Sequence, residues 1–368
     1  MRKQALIEKL VRNQITPAEL EELIPLIDRT DFRIIIKRIF DLNENEDINE
    51  SGADEGLLGW LNKVGRRKKN RKFKKQLRKP DFRVNKKVIV AEGDSWFEYP
   101  LFIKDILDWI IKKTNYPVYS LAYGGDWIAN ILYEAQYIEE LTLYQPEVFL
   151  ISGGGNDLVG GGRLAKMVNK RSLVDVTLTP TDQQLLGELQ NRCGYTEVQA
   201  RRIVVGFKFL NKDFHALINL FRILYSLLFR NIELSGKFND MMIVTQGYDF
   251  PIPSNNKSIG KPLRWAFGNG RWLYHPLIMK GITDGEEQRS VVAAMIFEFN
   301  EMLIATGRKF QRVYHIDSRG LLKDEEWADE LHARSRAFER IADRYIACIQ
   351  GMPPQKAQFV NEQIKSFQ

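Results

Sequence analysis

From residue 87 onward, short apolar runs rich in β-branched residues alternate with segments whose apolar residues recur at helical spacing. Strands are predicted at 88–92, 117–122, 147–152, 241–246 and 312–316. Helices are predicted at 101–113, 127–144, 286–309 and 335–349. Because parallel strands need crossover connections, which such helices supply, the pattern predicts a three-layer α/β/α sandwich with a five-stranded, mostly parallel sheet.

Two insertions interrupt this alternation. Residues 160–238 are mostly helical and include the strongly apolar segment 214–229, which either packs on the sheet or forms a cap over a site. Residues 251–285 form a loop-rich insertion that contains Trp265 and Trp272. Both insertions are expected to lie on the sheet domain without belonging to its repeating pattern.

The remaining chain divides by composition. Residues 1–62 have helical spacing and are expected to form a helical N-terminal module. Residues 63–85 are expected to be a basic linker, 86–351 the sheet domain, and 352–368 a C-terminal tail. The N-terminal module is a candidate surface for a protein partner.

The overall composition, 44% hydrophobic and 27% charged, is typical of a soluble globular protein. The two cysteines are too few for a disulfide framework and have no metal-ligand spacing. The first residues are too charged for a signal peptide, and no uninterrupted apolar run approaches the roughly 18 to 20 residues of a membrane span. We therefore expect a cytoplasmic protein.

The positive charge is concentrated in one segment. The net charge of the chain is +7, yet Lys63 to Lys79 alone contains eleven Lys or Arg and no acid. Like charges at this density repel one another, so the first expectation is a solvated tether or an exposed helix face. The alternative is that residues 63–79 bind an anionic membrane surface or nucleic acid phosphate. Base stacking is poorly supported, because Phe73 is the only aromatic residue there.

Polar and glycine-rich motifs follow each of the first three strands. They are Gly-Asp-Ser at 93–95, Gly-Gly-Asp at 124–126 and Gly-Gly-Gly-Asn-Asp at 153–157. A serine hydroxyl just past the carboxyl end of a central strand lies at the rim of the sheet and is a candidate nucleophile. An asparagine amide or a glycine N–H at a strand end is a candidate donor to a developing oxyanion.

A fourth motif precedes the last helix. Asp329 and His332 are three residues apart and are expected to fall on one face of a helical turn. In that position the carboxylate fixes the tautomer of the imidazole and stabilises the imidazolium.

Together, these motifs resemble the four blocks of the SGNH (GDSL-type) hydrolases, in the same order and after the corresponding elements, over residues 87–351. The resemblance implies a flavodoxin-like α/β/α sandwich. It also implies a serine esterase or lipase-type hydrolase that cleaves a carboxylic ester through an acyl-enzyme intermediate, without a metal or an organic cofactor. In that assignment Ser95 is the nucleophile, His332 the general base and then acid, and Asp329 the orienting acid.

The same resemblance implies an oxyanion hole made of the Ser95 N–H, the Gly125 N–H and the Asn156 side chain. Gly125 is preferred over Gly124 because the acidic residue that commonly follows the family glycine is Asp126 here.

The sequence also departs from the family pattern. Trp96 replaces the usual small aliphatic residue after the serine and is expected to narrow the acyl pocket. Trp96, Trp265 and Trp272 are candidate substrate-binding residues. His275 and, less strongly, His215 are rival candidates for the base.

The substrate class stays open between small-molecule and lipid esters. One alternative is a lipid hydrolase acting on phospholipid or lysophospholipid at a membrane surface. The other is a non-catalytic regulatory or interaction protein that uses the hydrolase fold as a scaffold.

Overall fold

The computed structural model describes residues 2–40, 57–84, 86–99, 103–255 and 272–352. Its centre is an all-parallel, five-stranded sheet with the strand order β2-β1-β3-β4-β5. The strands are β1 (Ile89–Glu92), β2 (Val118–Ser120), β3 (Val148–Ile151), β4 (Met242–Gln246) and β5 (Val313–Ile316). The predicted fold class is confirmed, and all five strands lie within the predicted segments.

Helices surround the sheet. The N-terminal ones are α1 (Arg2–Val11), α2 (Pro17–Leu23), α3 (Arg29–Ile39) and α4 (Leu57–Leu77). Between β1 and β4 lie α5 (Ile106–Thr114), α6 (Ile128–Glu134), α7 (Gln136–Tyr144), α8 (Gly155–Val159), α9 (Pro180–Cys193), α10 (Glu197–Phe207) and α11 (Lys212–Leu234). After β4 come α12 (Tyr274–Met279), α13 (Gly285–Gly307) and α14 (Ser335–Ile349). Short 3-10 helices occupy Gly160–Met167, Arg171–Leu173 and Asp324–Glu326.

The strand order reverses direction at β1. From β1 the chain moves to β2 on one side, and from β2 it crosses to β3 on the other side of β1. Every residue of β1 and β3 is buried, because helices cover both faces of the sheet. In such sheets the carboxyl ends of the strands at the reversal point leave a crevice that serves as a ligand site. The motifs after β1, β2 and β3 meet at this crevice.

One predicted helix is divided. The segment 127–144 forms two helices, which are separated at Ala135. Ala135 has a φ of 50°, in the left-handed region that residues other than glycine rarely adopt. No glycine or proline marks this break in the sequence, so the helical pattern concealed it.

The N-terminal helices pack on the sheet domain. Apolar side chains of α1, α2 and α3 belong to the same continuous core as the strands. Helices α1 and α3 contact α11, and α3 also contacts α6. Across this contact the Asn219 side-chain amide donates to Asn13 Oδ1 at 3.3 Å. Residues 41–56, which include most of the acidic end of the predicted module, lie outside the described residues.

Most of the basic segment 63–79 lies in α4, so of its two expected forms the structure has the exposed helix face and not the free tether. Phe73 is fully buried and packs edge-on against Tyr119 and Tyr144. Asn70 exchanges hydrogen bonds with the backbone of Ser120 in β2, at 2.8 and 2.9 Å. The physical reason is that one face of the helix is apolar or bonded to the sheet domain, while most of its cations occupy the other faces.

Lys69 is a buried cation on the packed side of α4. Its ammonium group donates to Glu98 at 2.8 Å, to Asp105 at 2.6 Å and to the carbonyl of Phe97 at 3.1 Å. Burial opposes the charge of Lys69, but the carboxylates of Asp105 and Glu98 outweigh burial and raise its pKa. The helix is thereby anchored to the segment that follows β1.

Segment 214–229, which was expected either to pack on the sheet or to form a cap, lies in helix α11. Thirteen of its residues are buried, and it packs against α13 and α6 within the core. Helix α13 has the length and composition of a membrane-spanning helix, but 94% of its most apolar window is buried inside the protein. Both helices are therefore core elements of the sheet domain.

Replacing Lys69 by alanine should destabilise the protein by roughly 3–5 kcal/mol, because Glu98 and Asp105 would be left buried without a cation. Urea unfolding measures this change. The matched control is Lys68→Ala on the exposed side of the same helix, which should alter stability by no more than about 0.5 kcal/mol. Equal unfolding midpoints for the two variants would contradict a structural role for Lys69.

Candidate active site

Ser95 lies in the turn that follows β1. Gly93 precedes it at a point where the backbone approaches the loop after β3, since a Cβ atom on Gly93 would lie 2.5 Å from the carbonyl oxygen of Ser152. Only glycine fits at this approach. The turn that presents Ser95 is thus pressed directly against the end of β3.

Asp94 fastens this turn to its neighbours. Its buried carboxylate accepts hydrogen bonds from the Trp96 N–H at 3.1 Å and from the Ser152 hydroxyl at 2.9 Å. The Tyr248 hydroxyl donates to the other carboxylate oxygen. Burial raises the pKa of Asp94, while these hydrogen bonds favour its charged form. Asp94 therefore braces the turn.

Ser95, His332 and Asp329 form one chain of hydrogen bonds. Ser95 Oγ lies 2.8 Å from His332 Nε2, and His332 Nδ1 lies 2.9 Å from both Asp329 carboxylate oxygens. Asp329 and His332 are buried, whereas Ser95 is partly exposed. The structure brings together the three residues that the sequence motifs selected, from positions as far apart as 95 and 332.

The Asp329 segment is a loop and not the helical turn expected from the sequence. An isolated antiparallel bridge between Trp327 and Ala333 closes it. Asp329 Oδ1 accepts the N–H groups of Leu331 and His332, each at 2.8 Å. The side chain of Asp329 thus satisfies backbone donors that a helix would have paired internally.

The ionisation of Asp329 determines the histidine tautomer. Burial alone would raise the pKa of Asp329, but His332 and the N–H groups of Leu331 and His332 hold it below its ordinary value. An ionised carboxylate only accepts hydrogen bonds, so the proton of neutral His332 is on Nδ1. His332 Nε2 is then free to accept the Ser95 hydroxyl proton.

Tyr99 is a fourth member of this chain that the sequence motifs did not indicate. Its hydroxyl donates to Asp329 Oδ2 at 3.1 Å, and its ring lies 4.4 Å from the His332 ring, centroid to centroid. Burial raises the pKa of Tyr99 well above its ordinary value, so the hydroxyl stays protonated. Tyr99, from the segment that follows β1, is thus placed to orient Asp329.

Two of the predicted oxyanion-hole residues, Asn156 and Gly125, lie in different loops at the carboxyl ends of the strands. Asn156 lines the same cavity as Ser95, and its side-chain amide donates to the carbonyl of Asp126 at 3.0 Å. Gly125 lies in the turn after β2 with a φ of 97°, which is suited to glycine. The role of both residues toward an oxyanion stays a prediction.

Arg163 supports the Asn156 turn and was not indicated by any motif. Its guanidinium donates to the carbonyls of Asn156 at 2.7 Å and Asp157 at 3.2 Å, and stacks 3.8 Å from the Trp127 ring centroid. Asp157 accepts the Ile128 N–H at 3.1 Å, and burial raises its pKa to about 7. The loops after β2 and β3 are linked through these contacts.

A cavity of about 50 Å³ opens beside Ser95. Most of its walls are apolar side chains from α8, the following 3-10 helix, α13 and the two flanking loops: Leu158, Val159, Leu164, Leu273, Met295 and Ile296. Ser95 and Asn156 are among its few polar lining residues. A carbonyl carbon placed at Ser95 would therefore have room for an apolar substituent.

The three candidate tryptophans have different environments. Trp96 is 3% exposed, lines the cavity in part and donates from its indole nitrogen to the carbonyl of Leu331 at 3.2 Å. Trp272 is partly buried and lies 6.1 Å from the His332 ring, centroid to centroid. Trp265 lies outside the described residues. Trp96 thus also connects the serine turn with the histidine loop.

Glu330 anchors the loop-rich insertion beside the site. Its carboxylate accepts backbone N–H groups from both sides of the undescribed residues 256–271, namely those of Ser254, Trp272, Leu273 and Tyr274. Burial raises the pKa of Glu330, and the four donors oppose that shift. A glutamate between Asp329 and His332 has no sequence signal for this function, because its partners lie some 56 to 76 positions earlier.

The rival histidines do not approach Ser95. His275 is exposed on α12, and His215 lines a separate cavity near α11. His315 is buried between Thr245 and Asn300, and burial lowers its pKa to about 4. Among the described residues, no group of three or more His, Cys, Asp or Glu is placed to hold a metal ion.

The arrangement defines an α/β/α sandwich with a serine–histidine–aspartate site at the reversal point of its sheet. No family model matches the chain, and no curated protein matches its sequence. Solved structures that it resembles include an extracellular lipase from Streptomyces rimosus, with 14% identity, 70% of this chain and 98% of that chain covered, and a TM-score of 0.36.

Two further structures that the chain resembles are described as a GDSL-like lipase and an SGNH hydrolase. The first, from Parabacteroides merdae, shares 11% identity over 73% of this chain and 97% of that chain, with a TM-score of 0.38. The second, from Slackia heliotrinireducens, shares 12% identity over 73% of this chain and 100% of that chain, with a TM-score of 0.37. At this level, the similarity concerns the fold alone and does not indicate activity or substrate.

Replacing Tyr99 by phenylalanine should slow the reaction of Ser95 with a fluorophosphonate reagent by roughly tenfold, because one charge-assisted hydrogen bond to Asp329 is lost. Mass spectrometry of the labelled peptides follows the rate at Ser95. Tyr116→Phe is the matched control, since the Tyr116 hydroxyl has no hydrogen-bond partner among the described residues. Identical labelling rates for both variants would show that Tyr99 does not position Asp329.

Proposed function

We propose that this protein is a serine hydrolase that cleaves a carboxylic ester through an acyl-enzyme intermediate. The observation that supports this proposal most is the continuous chain of hydrogen bonds from Ser95 through His332 to Asp329. Ser95, at one end of this chain, lines an apolar cavity. A hydroxyl, a base and an orienting acid in that order are the parts of an activated serine nucleophile.

The first half of the reaction forms the acyl-enzyme. His332 Nε2 takes the proton of Ser95 Oγ as that oxygen forms a bond to the ester carbonyl carbon. The carbonyl electron pair moves to the oxygen, which becomes a tetrahedral oxyanion. Asp329 stabilises the imidazolium that results. When the intermediate collapses, the bond to the leaving oxygen breaks and His332 gives its proton to the departing alcohol.

The second half repeats these steps with water. His332 takes a proton from a water molecule as the water oxygen attacks the acyl carbon. The second tetrahedral intermediate collapses by breaking the bond to Ser95 Oγ, which recovers its proton from His332. The carboxylic acid leaves, and the enzyme returns to its starting protonation state.

The oxyanion is assigned to three donors: the Ser95 N–H, the Gly125 N–H and the Asn156 side chain. One hydrogen of the Asn156 amide is used by the carbonyl of Asp126, which leaves the other for a ligand. Arg163 fixes the backbone of the same residue through its carbonyl. A donor held in this way needs little reorganisation when charge develops on the substrate.

The cavity supports an apolar acyl group as the substrate part that lies beside Ser95. Its lining is mainly aliphatic, and Trp96 contributes to it. Burial of each methylene group contributes roughly 0.8 kcal/mol, so selectivity for acyl length follows from how far a chain can enter. An apolar acyl group suits these walls better than a charged one, because an unpaired charge is costly to bury.

Ser95→Ala should lower kcat for a short p-nitrophenyl ester at least about ten-thousandfold, because the nucleophile is lost. Asn156→Ala should lower it roughly 10²- to 10³-fold, through the loss of one oxyanion donor. Spectrophotometric assays of the purified variants measure both effects. Ser172→Ala, on an exposed 3-10 helix, is the control that should retain full activity. Full activity of Ser95→Ala would refute the nucleophile assignment.

Val159→Phe should shift the acyl preference toward short esters, because the larger side chain occupies the cavity beside Ser95. We expect kcat/KM for an octanoyl ester to fall about tenfold or more while that for an acetyl ester changes little. Rates across a series of acyl lengths provide the measurement. The control is Val198→Phe at a site that is 55% exposed. Parallel loss on all acyl lengths would place the acyl chain elsewhere.

A further inference from the structure

Helix α4 carries a face of unpaired cations that the proposed reaction does not use. Six exposed cations lie close together between residues 67 and 75 of the helix: Arg67, Lys68, Arg71, Lys72, Lys74 and Lys75. We call these six residues the cationic face. None has an ion pair with any residue in the described part of the chain. At spacings of three and four residues, they lie side by side over about 12 Å of helix.

Contacts on the packed side of α4 hold the cationic face in a fixed orientation. On the opposite side of the helix Lys69 is bonded to Glu98 and Asp105, and Phe73 is buried between two tyrosines. These contacts determine which residues point outward. The backbone positions of the six cations are therefore fixed close together, and their mutual repulsion favours an anionic partner.

The helix also has a defined direction relative to the site. Arg66 donates to the carbonyl of Leu121, just after β2, and Gln76 donates to the carbonyl of Asn115, just before β2. Helix α4 thus runs antiparallel to β2 and starts at the edge of the sheet where Ser95 lies. The cationic face begins beside that edge.

Nucleic acid is less well matched to this surface than lipid. Single-stranded nucleic acid sites combine cations with exposed aromatic rings, but Phe73 is fully buried. The amide side chains of Asn70 and Gln76, which could contact base edges, are bonded to the backbone around β2. What remains outside is charge without groups for reading bases.

We propose that the cationic face docks the protein on an anionic phospholipid surface and so brings the Ser95 cavity to ester substrates in the bilayer. The preference for lipid over nucleic acid rests in part on the proposed function, because the apolar walls of the cavity suit an acyl group. The docking itself is electrostatic and does not depend on hydrolysis. Each Lys or Arg near an anionic bilayer contributes roughly fivefold to the partition coefficient.

Sedimentation of the full chain with phospholipid vesicles tests the proposal. Binding is expected to vesicles of phosphatidylcholine mixed with phosphatidylserine, and not to phosphatidylcholine alone. Salt should release the protein between about 0.1 M and 1 M, as the Debye length falls from about 10 Å to 3 Å. Equal binding to both vesicle types, or none to the anionic ones at low salt, would overturn the proposal.

A charge-matched pair of variants identifies the surface. The test variant combines Lys68→Gln, Arg71→Gln, Lys72→Gln and Lys75→Gln, and it should lose at least about hundredfold in partition coefficient. The control combines four exposed cations elsewhere: Arg201→Gln, Lys212→Gln, Arg230→Gln and Lys237→Gln. The control has the same net charge and should bind nearly as the unchanged protein does. Equal losses in the two variants would assign binding to net charge and refute the cationic face.

Two further measurements separate the outcomes. Hydrolysis of a soluble p-nitrophenyl ester without vesicles should be unchanged in the test variant, and vesicle binding should be unchanged in Ser95→Ala. Failure of ester hydrolysis with intact vesicle binding would reject the proposed function and leave the docking surface in place. An oligonucleotide that binds more tightly than the anionic vesicles and displaces the protein from them would assign the cationic face to nucleic acid.

Discussion

The candidate site depends on how the turn after β1 is held, because that turn presents Ser95 without a helix or strand of its own around it. Asp94 ties the turn to the end of β3 and to Tyr248. Lys69 holds the carbonyl of Phe97 and the side chain of Glu98 from the other side. Buried polar groups are costly unless they are paired. The paired groups therefore leave the turn few alternative conformations that keep every buried group bonded.

Buried hydrogen bonds also join the turn to the histidine loop. The Tyr99 hydroxyl reaches Asp329, and the Trp96 indole reaches the carbonyl of Leu331. Glu330, between Asp329 and His332, binds the ends of the loop-rich insertion. Each of the two loops, the turn after β1 and the histidine loop, thus contains residues of the Ser95–His332–Asp329 chain next to residues that only hold the loop in place. Binding at the cationic face would act on a helix that is bonded directly to this network.

Much of the fold could be predicted because its signals are local. The strands were located to within one or two residues, since buried parallel strands form short apolar runs between turn residues. Ser95, Asn156, Asp329 and His332 were selected by the order of their motifs along the chain. The helical pattern of 127–144 concealed the break at Ala135, because a left-handed alanine is imposed by packing and has no marker in the sequence. Within the basic run, the buried positions of Lys69 and Phe73 were masked by the cations around them.

The sequence by itself determined which segments become strands, which ends of those strands bear reactive or hydrogen-bonding groups, and that one segment is densely cationic. Periodicity and motif order are properties of neighbouring residues, so they can be recognised without coordinates. Only the tertiary structure decided that Tyr99, Tyr248, Arg163 and Glu330 support the site. It also decided which face of the basic helix packs on the sheet domain and which face is exposed. Most of these contacts join residues far apart in the chain, and they form because buried charges and hydroxyls must find partners wherever packing brings them together.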